Sequence, residues 1–547
     1  MSSVVLSNTN VDPITNSLNK HHSFIKLPGY GNWFESIINK KSILHQDEVA
    51  NIFIIMDGSE LVSQIKNNPE YEKIIDNYFS SIDTFLRLNP TKKIYLSNVN
   101  VSQKFVSNLD DLNEYEIVNK WERNLIEFCS KNENLKILDI NRLIKKTGEQ
   151  FFYDNKLWYL AGIKYSKMAV KIISDFIEKI LFFSQSARKK CLILDLDNTL
   201  WGGVLGELGP EKIQLSKTGP YSAFRDFQIE IKRIKETGIL LAIASKNEFK
   251  NVEKAFKEND NMILSLDDFV SVKANWGPKS NSIKELKEEL NISFESMVFI
   301  DDNPFEREEV KKTLNEVIVP EFPGRVVDLP DFASRLFDEY FFIETLTDSD
   351  KKKTTQTKSL ISFNTEKRNY ENIDDYLNSL DLSIEISINN TKKTERITQI
   401  INKTNQFNLT LNRFSKNELQ GFIDKKNLVV TGKIKDKFGD QGLSILSMIE
   451  IDNYKAKIVN YLMSCRIMGR KIEYRFFEEL ICILDKRNIT TIEATFTKSE
   501  KNSLVSNFYH KIGFDLVFDD EKISTYSASI DQLIPREKQL NYRIIFE

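Results

Sequence analysis

Histidine is almost absent from this chain. Among 547 residues there are four, His21, His22, His45 and His510, and none lies between His45 and His510. A Ser-His-Asp hydrolase site in the middle of the chain is therefore excluded on inventory alone. Cysteine is equally scarce. Cys129, Cys191, Cys465 and Cys482 lie far apart, without metal-ligand or disulfide-framework spacing, so free thiols in a reducing cytoplasm are expected. No segment approaches about 18 uninterrupted apolar residues, which argues against a membrane span. The N-terminal stretch carries Asn8, Asn10 and Asn16 where a signal peptide would be apolar. A basic excess is missing too: the net charge of -3 and a pI near 6.1 speak against a dedicated nucleic-acid binder.

What is present is core material. Hydrophobic residues make up 41% of the chain and Phe alone numbers 37, in a length that suggests about three domains. Residues 1–185 alternate apolar runs (IFIIM, KIYLS, LKILDI) with helical stretches such as YSKMAVKIISDFIEKILFF, the pattern of an α/β layer with a parallel sheet. A charged hinge, SARKK at 186–190, precedes a second region, 186–345, that reads strand, helix, strand, helix, strand. Its helix PYSAFRDFQIEIKRIKETG places Phe224, Phe227, Ile231 and Ile234 on one face. ILLAIAS and MVFIDD are continuous apolar runs ending in polar residues, as expected of strands covered on both faces. Those polar ends should share one rim of a parallel sheet, where ligands of open α/β sheets bind. TDSDKKKTTQTKS, at 347–359, reads as linker or mobile loop, and residues 346–365 are assigned as linker before a third region, 366–547.

KKCLILDLDNTLWGG, at 189–203, poses the chemical question. A buried strand ends in Asp195 and Asp197, two residues apart and pointing the same way. Such carboxylates repel unless a cation or a phosphate chemistry brings them together. Asp-x-Asp-x-Thr at the end of a first strand resembles the first motif of the haloacid dehalogenase (HAD) superfamily, and Ser245, Lys279 and the Asp301-Asp302 pair follow in the required order. The resemblance implies Asp195 as nucleophile and Asp197 as general acid/base. It implies Thr199, Ser245, Lys246, Asn247 and Lys279 around the phosphate, with Lys273 the rival for the lysine role. Mg²⁺ would be held by Asp195, Asp197, Asp301 and Asp302, hard oxygen donors suited to it.

The likeness is closer than superfamily level. DLDNTLWGGVLGE, IASKNE, KANWGPKS and FIDDNPFERE are similar to the FkbH-like family, HAD subfamily IIIC, and KTNQFNLT, DKFGDQGL and MSCRIMGRKIE continue it over roughly two thirds of the chain. Members resemble glyceryl transferase/phosphatases: they take 1,3-bisphosphoglycerate, remove phosphate, and load a glyceryl group onto the phosphopantetheine thiol of an acyl carrier protein in polyketide-like pathways. One feature supports a bulky partner independently. No insertion between the motifs is long enough for a cap domain, and WGGVLGELGPEKIQL suffices only for a Gly-rich hairpin flap, so water exclusion is left to a partner or to neighbouring domains.

CRIMGRK resembles the pyrophosphate-binding turn of GNAT-type acyltransferases, which implies an acyl or pantetheine groove at Arg466, Gly469, Asn502 and Tyr509. Lys471 departs from that pattern, standing where it wants a small residue. Cys465 is read either as an acyl-accepting thiol activated by Arg466 and a helix start, or as a small packed residue. Asn405 and Gln406 serve either as substrate contacts or as loop caps. The N-terminal region loosely resembles SGNH hydrolases, with Asp57, Gly58 and Ser59 after a strand. It lacks Gly-Asp-Ser and Asp-x-x-His, so a non-catalytic docking or structural domain is expected. The expected architecture is thus a multidomain α/β chain: a central HAD-like parallel sheet between an SGNH-like domain and a GNAT-like α+β domain. The alternative function is a stand-alone phosphatase with flanking partner-binding domains.

Overall fold

The computed structural model describes residues 2–27, 31–101, 113–185, 188–346, 348–533 and 542–547. It divides into two compact units, Met1–Ser186 and Ala187–Glu547. Ser186 and Ala187 of the expected hinge, and Thr347 of the expected linker, lie outside the described residues. No helix among the described residues is long and apolar enough to cross a membrane.

The first unit is built on five parallel strands, β1 (Ser2–Ser7), β2 (Phe24–Ile25), β3 (Val49–Ile55), β4 (Lys93–Ser97) and β5 (Leu135–Leu138), in the order β2-β1-β3-β4-β5. Asp57 follows β3, caps the helix Gly58–Ile65 by accepting from the Glu60 amide at 2.9 Å, and pairs with Lys164 at 2.7 Å. A side chain at residue 58 would put its Cβ 2.5 Å from the Asn100 carbonyl oxygen, so glycine there permits the close approach of two loops.

In the second unit a four-stranded sheet comes first: β6 (Cys191–Leu194), β7 (Leu240–Ser245), β8 (Phe269–Ala274) and β9 (Met297–Ile300), all parallel, in the order β8-β7-β6-β9. The β6, β7 and β9 residues are all buried, as uninterrupted apolar strands require, and Phe224, Phe227, Ile231 and Ile234 are buried on the helix Ser222–Glu236. The rest of the unit carries a mixed sheet of β10 (Ser383–Ile388), β11 (Phe407–Asn408), β12 (Leu428–Asp436), β13 (Gly439–Asp452), β14 (Lys455–Met463), β15 (Thr491–Thr497), β16 (Asp515–Asp519), β17 (Ile523–Ser529) and β18 (Arg543–Phe546). Its order is β16-β17-β15-β14-β13-β12-β10-β18, with β11 beside β14. The whole is an α/β architecture.

The linker assignment is corrected by this fold. Residues Lys353–Lys367 form a helix, and Thr354, Gln356, Thr357, Ser359, Leu360 and Phe363 on it are buried. Leu360 and Phe363 enter the core of the mixed sheet, while Ile361 packs against the core of the parallel sheet. The Ser359 hydroxyl donates to the carbonyls of Thr355 and Phe438, both at 3.0 Å. The segment looks soluble because its buried side chains are largely hydroxyls and an amide. It is helical because two cores close on it, which propensity alone does not reveal.

Candidate active site

The inner strand β6 delivers Asp195 to the carboxyl rim, where its amide donates to the Ile300 carbonyl at 3.1 Å. Ser245 ends β7, and Asp301 follows β9 directly. Lys279 opens the helix Lys279–Leu290 after β8, and its ammonium lies 2.9 Å from Asp195 Oδ1 and also donates to Asp301 Oδ2. Asp195, Lys279 and Asp301 are all buried. Asp195, Asp301 and Asp302 each turn a carboxylate oxygen to one point, those atoms lying within 4.8 Å of one another.

Three acids around one lysine perturb each other's protonation. Burial pushes the Asp195 carboxyl up, against the pull of Lys279 and Ser245. Asp301 is pushed up to about 7, by burial first and by the Asp195 charge second, and Asp302 is raised for the same two reasons. Burial works against the Lys279 ammonium, yet Asp195 and Asp301 hold its affinity for a proton above the usual value. Lys273 is ruled out of the lysine role: it pairs with Glu289 at 2.9 Å and Glu285 at 3.3 Å, away from the carboxylates.

The Asp197 carboxylate, expected among the metal ligands, stands outside the group formed by Asp195, Asp301 and Asp302. Its Oδ1 accepts from Trp201 Nε1 and the Leu205 amide, both at 3.0 Å, and its Oδ2 accepts from Asn247 Nδ2 at 3.0 Å. These donors fix the Asp197 carboxylate without turning it toward Asp195, Asp301 and Asp302. Asn247 also donates to Ser245 Oγ at 3.1 Å, so it orients two site groups. Thr199 is fully buried and its hydroxyl accepts from the Asp302 amide at 3.2 Å, which ties the first and fourth motif loops together. Lys246 reaches outward to pair with Glu306. The flap carries the short helix Leu205–Leu208, closed at its base by Gly202 and Gln214, which exchange backbone hydrogen bonds of 3.0 and 2.8 Å.

Two contributors escaped the sequence reading. Arg307 is buried and donates to the carbonyls of Asp301 and Asp302 at 3.0 and 2.8 Å, with Glu321 at 3.0 Å as its counter-ion, so it shapes the loop bearing both acids. Trp201, also buried, holds Asp197. Both lie inside quoted motif blocks, but a buried cation and an indole donor are recognisable only once their partners are placed.

The C-terminal candidates do not converge. Asn502 is buried and spends its amide on the carbonyls of Asn408 and Thr497 at 2.9 and 2.8 Å and its oxygen on the Ser499 amide at 3.0 Å. Tyr509 is buried among Phe508, Phe514 and Tyr526, its hydroxyl without a partner, and burial raises it far above the usual phenol range. The Arg466 guanidinium donates to Gln356 on the buried helix Lys353–Lys367. Gly469 faces that helix as well, a Cβ there meeting Phe363 and Lys367 at 3.8 Å. The turn that resembles a pyrophosphate cradle is thus covered by the chain itself. Lys471 takes a positive φ of 52° and pairs with Asp374. Asn405 accepts from Arg413, and Gln406 accepts from Asn291 at a long 3.5 Å.

Cys465 is exposed and begins a three-residue turn, whereas the long helix starts only at Ile472, so the expected helix start beside the thiol is absent. Its neighbour Arg466 shares an electrostatic cluster with Asp350 and Lys353, and Lys353 in turn senses Lys190 and Cys191 at the start of β6. Asp195 lies at the other end of that strand. Four residues at about 3.3 Å each separate the two rims by roughly 13 Å. Cys465 is thus placed toward the start of β6 and Asp195 beyond its end.

No protein-family model matches the chain, and a search of curated proteins gives no match. Among solved structures, the chain is similar to the N-terminal part of the protein BF1531 from Bacteroides fragilis, which contains a phosphatase domain complexed with Mg. That match has 28% identity and a TM-score of 0.56, covering 63% of this chain and 94% of that one. Two N-acetyltransferases also match: the ribosomal-protein-S18-alanine enzyme of Escherichia coli (14% identity, TM-score 0.23, 27% of this chain and 94% of that one) and the paia enzyme of Thermoplasma acidophilum in complex with coenzyme A (18%, 0.21, 27% and 99%). The acetyltransferase likenesses carry no argument about activity. The phosphatase likeness agrees with the carboxylate rim.

Proposed function

We propose that the protein is a Mg²⁺-dependent enzyme of phosphatase type that takes a phosphoryl group from a small substrate onto Asp195. The observation that carries this reading is the convergence of Asp195, Asp301 and Asp302 within 4.8 Å around the Lys279 ammonium, on adjacent strand ends. Three acceptor-only carboxylates offset by one lysine form a hard-oxygen donor set that fits Mg²⁺. When bound, the ion offsets the charge of carboxylates and phosphate together. Lys279 and Ser245 hold the phosphoryl oxygens. One Asp195 oxygen forms the bond to phosphorus as the bond to the leaving oxygen breaks, and Asp197, oriented by Trp201, Leu205 and Asn247, delivers the proton to that oxygen. Water, deprotonated by Asp197, then forms a bond to phosphorus as the bond between Asp195 and phosphorus breaks, which releases phosphate and restores the Asp195 carboxylate.

The finer reading is an acyl phosphate such as 1,3-bisphosphoglycerate as substrate and a carrier-protein thiol as acceptor. It is supported by the motif blocks and by a rim built for company. Each strand-end loop shows an apolar side chain to solvent: Val204 and Leu208 after β6, Phe249 (47% exposed) after β7, Trp276 (73%) after β8 and Phe305 (82%) after β9. With Cys465 at the opposite rim, the acceptor thiol on this reading belongs to the partner. The buried state of Asn502 and Tyr509 favours the second reading, a phosphatase whose other domains bind partners. Incubation with 1,3-bisphosphoglycerate, Mg²⁺ and a panel of holo carrier proteins separates the two. Acylated carrier by mass spectrometry is the outcome expected of the transferase; phosphate release with no acylated carrier removes it.

A further inference from the structure

At the rim opposite Asp195, four cationic side chains from four separate segments gather around one carboxylate. Arg188 precedes β6, Lys353 opens the helix Lys353–Lys367, Arg396 lies on the helix Thr394–Lys403, and Arg466 follows β14. Asp350 is the acid they share among the described residues: it pairs with Arg188 at 3.1 Å and interacts electrostatically with Lys353, Arg396 and Arg466. The Asp350 segment reaches this rim because residue 238, just before β7, is glycine; a Cβ there would lie 2.7 Å from the Asp350 carbonyl oxygen.

The cluster is short of acceptors. Arg188 spends Nη2 on Asp350 and the Thr237 carbonyl, yet its buried Nη1 has no hydrogen-bond partner. Arg396 and Arg466 donate to the neutral amides of Gln399 and Gln356. Lys353 has no hydrogen-bond or ion-pair partner among the described residues. The start of the helix Lys353–Lys367 adds further positive potential, with no acidic residue in its first turn. Four like charges around one opposite charge are held together at a cost unless an anion joins them.

We propose that Arg188, Lys353, Arg396 and Arg466, with the N-terminus of the helix Lys353–Lys367, form a binding site for a phosphate group, distinct from the carboxylate rim and beside the Cys465 thiol. A phosphate dianion matches the excess positive charge and offers acceptors to Arg188 Nη1 and to Lys353. The site does not depend on the phosphatase reading, since its residues lie at the other end of β6.

The test uses the full chain in EDTA, so that phosphate esters are not turned over, and follows alkylation of Cys465 by iodoacetamide with peptide-level mass spectrometry. Inorganic phosphate is expected to slow alkylation at Cys465 several-fold relative to chloride of equal ionic strength. Lys353→Gln and Arg396→Gln are each expected to raise the half-protecting concentration about tenfold, as loss of one charged hydrogen bond implies. Glycerol 3-phosphate distinguishes the source: protection equal to or better than inorganic phosphate means an esterified ligand, and weaker protection means the free ion. Thermal unfolding checks the variants, and Lys353→Gln is expected to unfold no earlier than the parent in phosphate-free buffer because a repulsion is removed. Alkylation indifferent to both probes overturns the proposal, as does protection that survives in both variants.

Discussion

Lys279→Met tests the reasoning about the active site most directly, because one ammonium separates two buried carboxylates. Lys279 Nζ lies 2.9 Å from Asp195 and donates to Asp301, whose carboxylate oxygens lie within 4.8 Å of each other and of Asp302. With the ammonium gone, two charges at that distance repel by about 3.5 kcal/mol at an effective dielectric constant of about 20. Breaking a buried ion pair costs about 3–5 kcal/mol by precedent. For a unit of this size, Ala187–Glu547, that corresponds to a fall of roughly 4–7 °C in the unfolding midpoint. The assay is thermal unfolding at about pH 9, in EDTA and in Mg²⁺, since Asp301 titrates at about 7 with Lys279 beside it and higher once that ammonium is gone, and protonation would hide part of the repulsion. The fall is expected in EDTA and should be largely reversed by Mg²⁺, which replaces the lost positive charge. Turnover should drop about 10²- to 10³-fold even with Mg²⁺, because a phosphoryl holder is missing. An EDTA midpoint equal to the parent's, or a fall that Mg²⁺ leaves untouched, would refute the bridging role.

Asp195→Asn should abolish release of phosphate from any substrate that the parent hydrolyses, while Asp197→Asn should slow it about 10²- to 10⁴-fold without abolishing Mg²⁺ binding, measured by calorimetry. Loss of Mg²⁺ binding in Asp197→Asn would return that residue to the ligand set. Tyr509→Phe should be neutral or slightly stabilising and leave turnover within twofold, because it removes a buried hydroxyl that has no partner; a large loss of activity would restore the acyltransferase role. Lys353 gives a pH signature. Burial, then Arg188, Arg466 and Lys190, lower its ammonium to about 7 from the usual 10.5. Between those values the unfolded chain binds more protons than the folded one. Stability in phosphate-free buffer should therefore climb with pH across that window, by up to about 5 kcal/mol, less for the part of the side chain that meets solvent. Lys353→Met should flatten that slope in denaturant titrations, and an unchanged slope would sink the assignment.

Much of the carboxylate site was legible in the sequence. Parallel strands that are apolar throughout and end in polar residues put those residues on one rim by geometry alone, so Asp195, Ser245 and Asp301 could be grouped from spacing and order. The division of labour among the carboxylates was not legible. Asp195 and Asp197 look equivalent along the strand, and only the positions of Trp201, Leu205 and Asn247 turn one of them away from the cation position. The surroundings of the C-terminal candidates were not legible for a related reason. Arg466, Gly469, Asn502 and Tyr509 match a local pattern, but whether a turn is open depends on what lies across it, and here a helix from elsewhere in the chain does.

The sequence by itself determined the parallel strands, their polar ends and the order in which Asp195, Ser245, Lys279 and the Asp301-Asp302 pair arrive, because strand periodicity and apolar runs are local properties of the chain. Only the tertiary structure decided that residues 353–367 are a buried helix shared by two cores, that Cys465 sits at the far rim from Asp195, and that four cations meet there. Each of these depends on contacts between segments far apart in sequence, and the energy of such contacts is invisible in any one segment read alone.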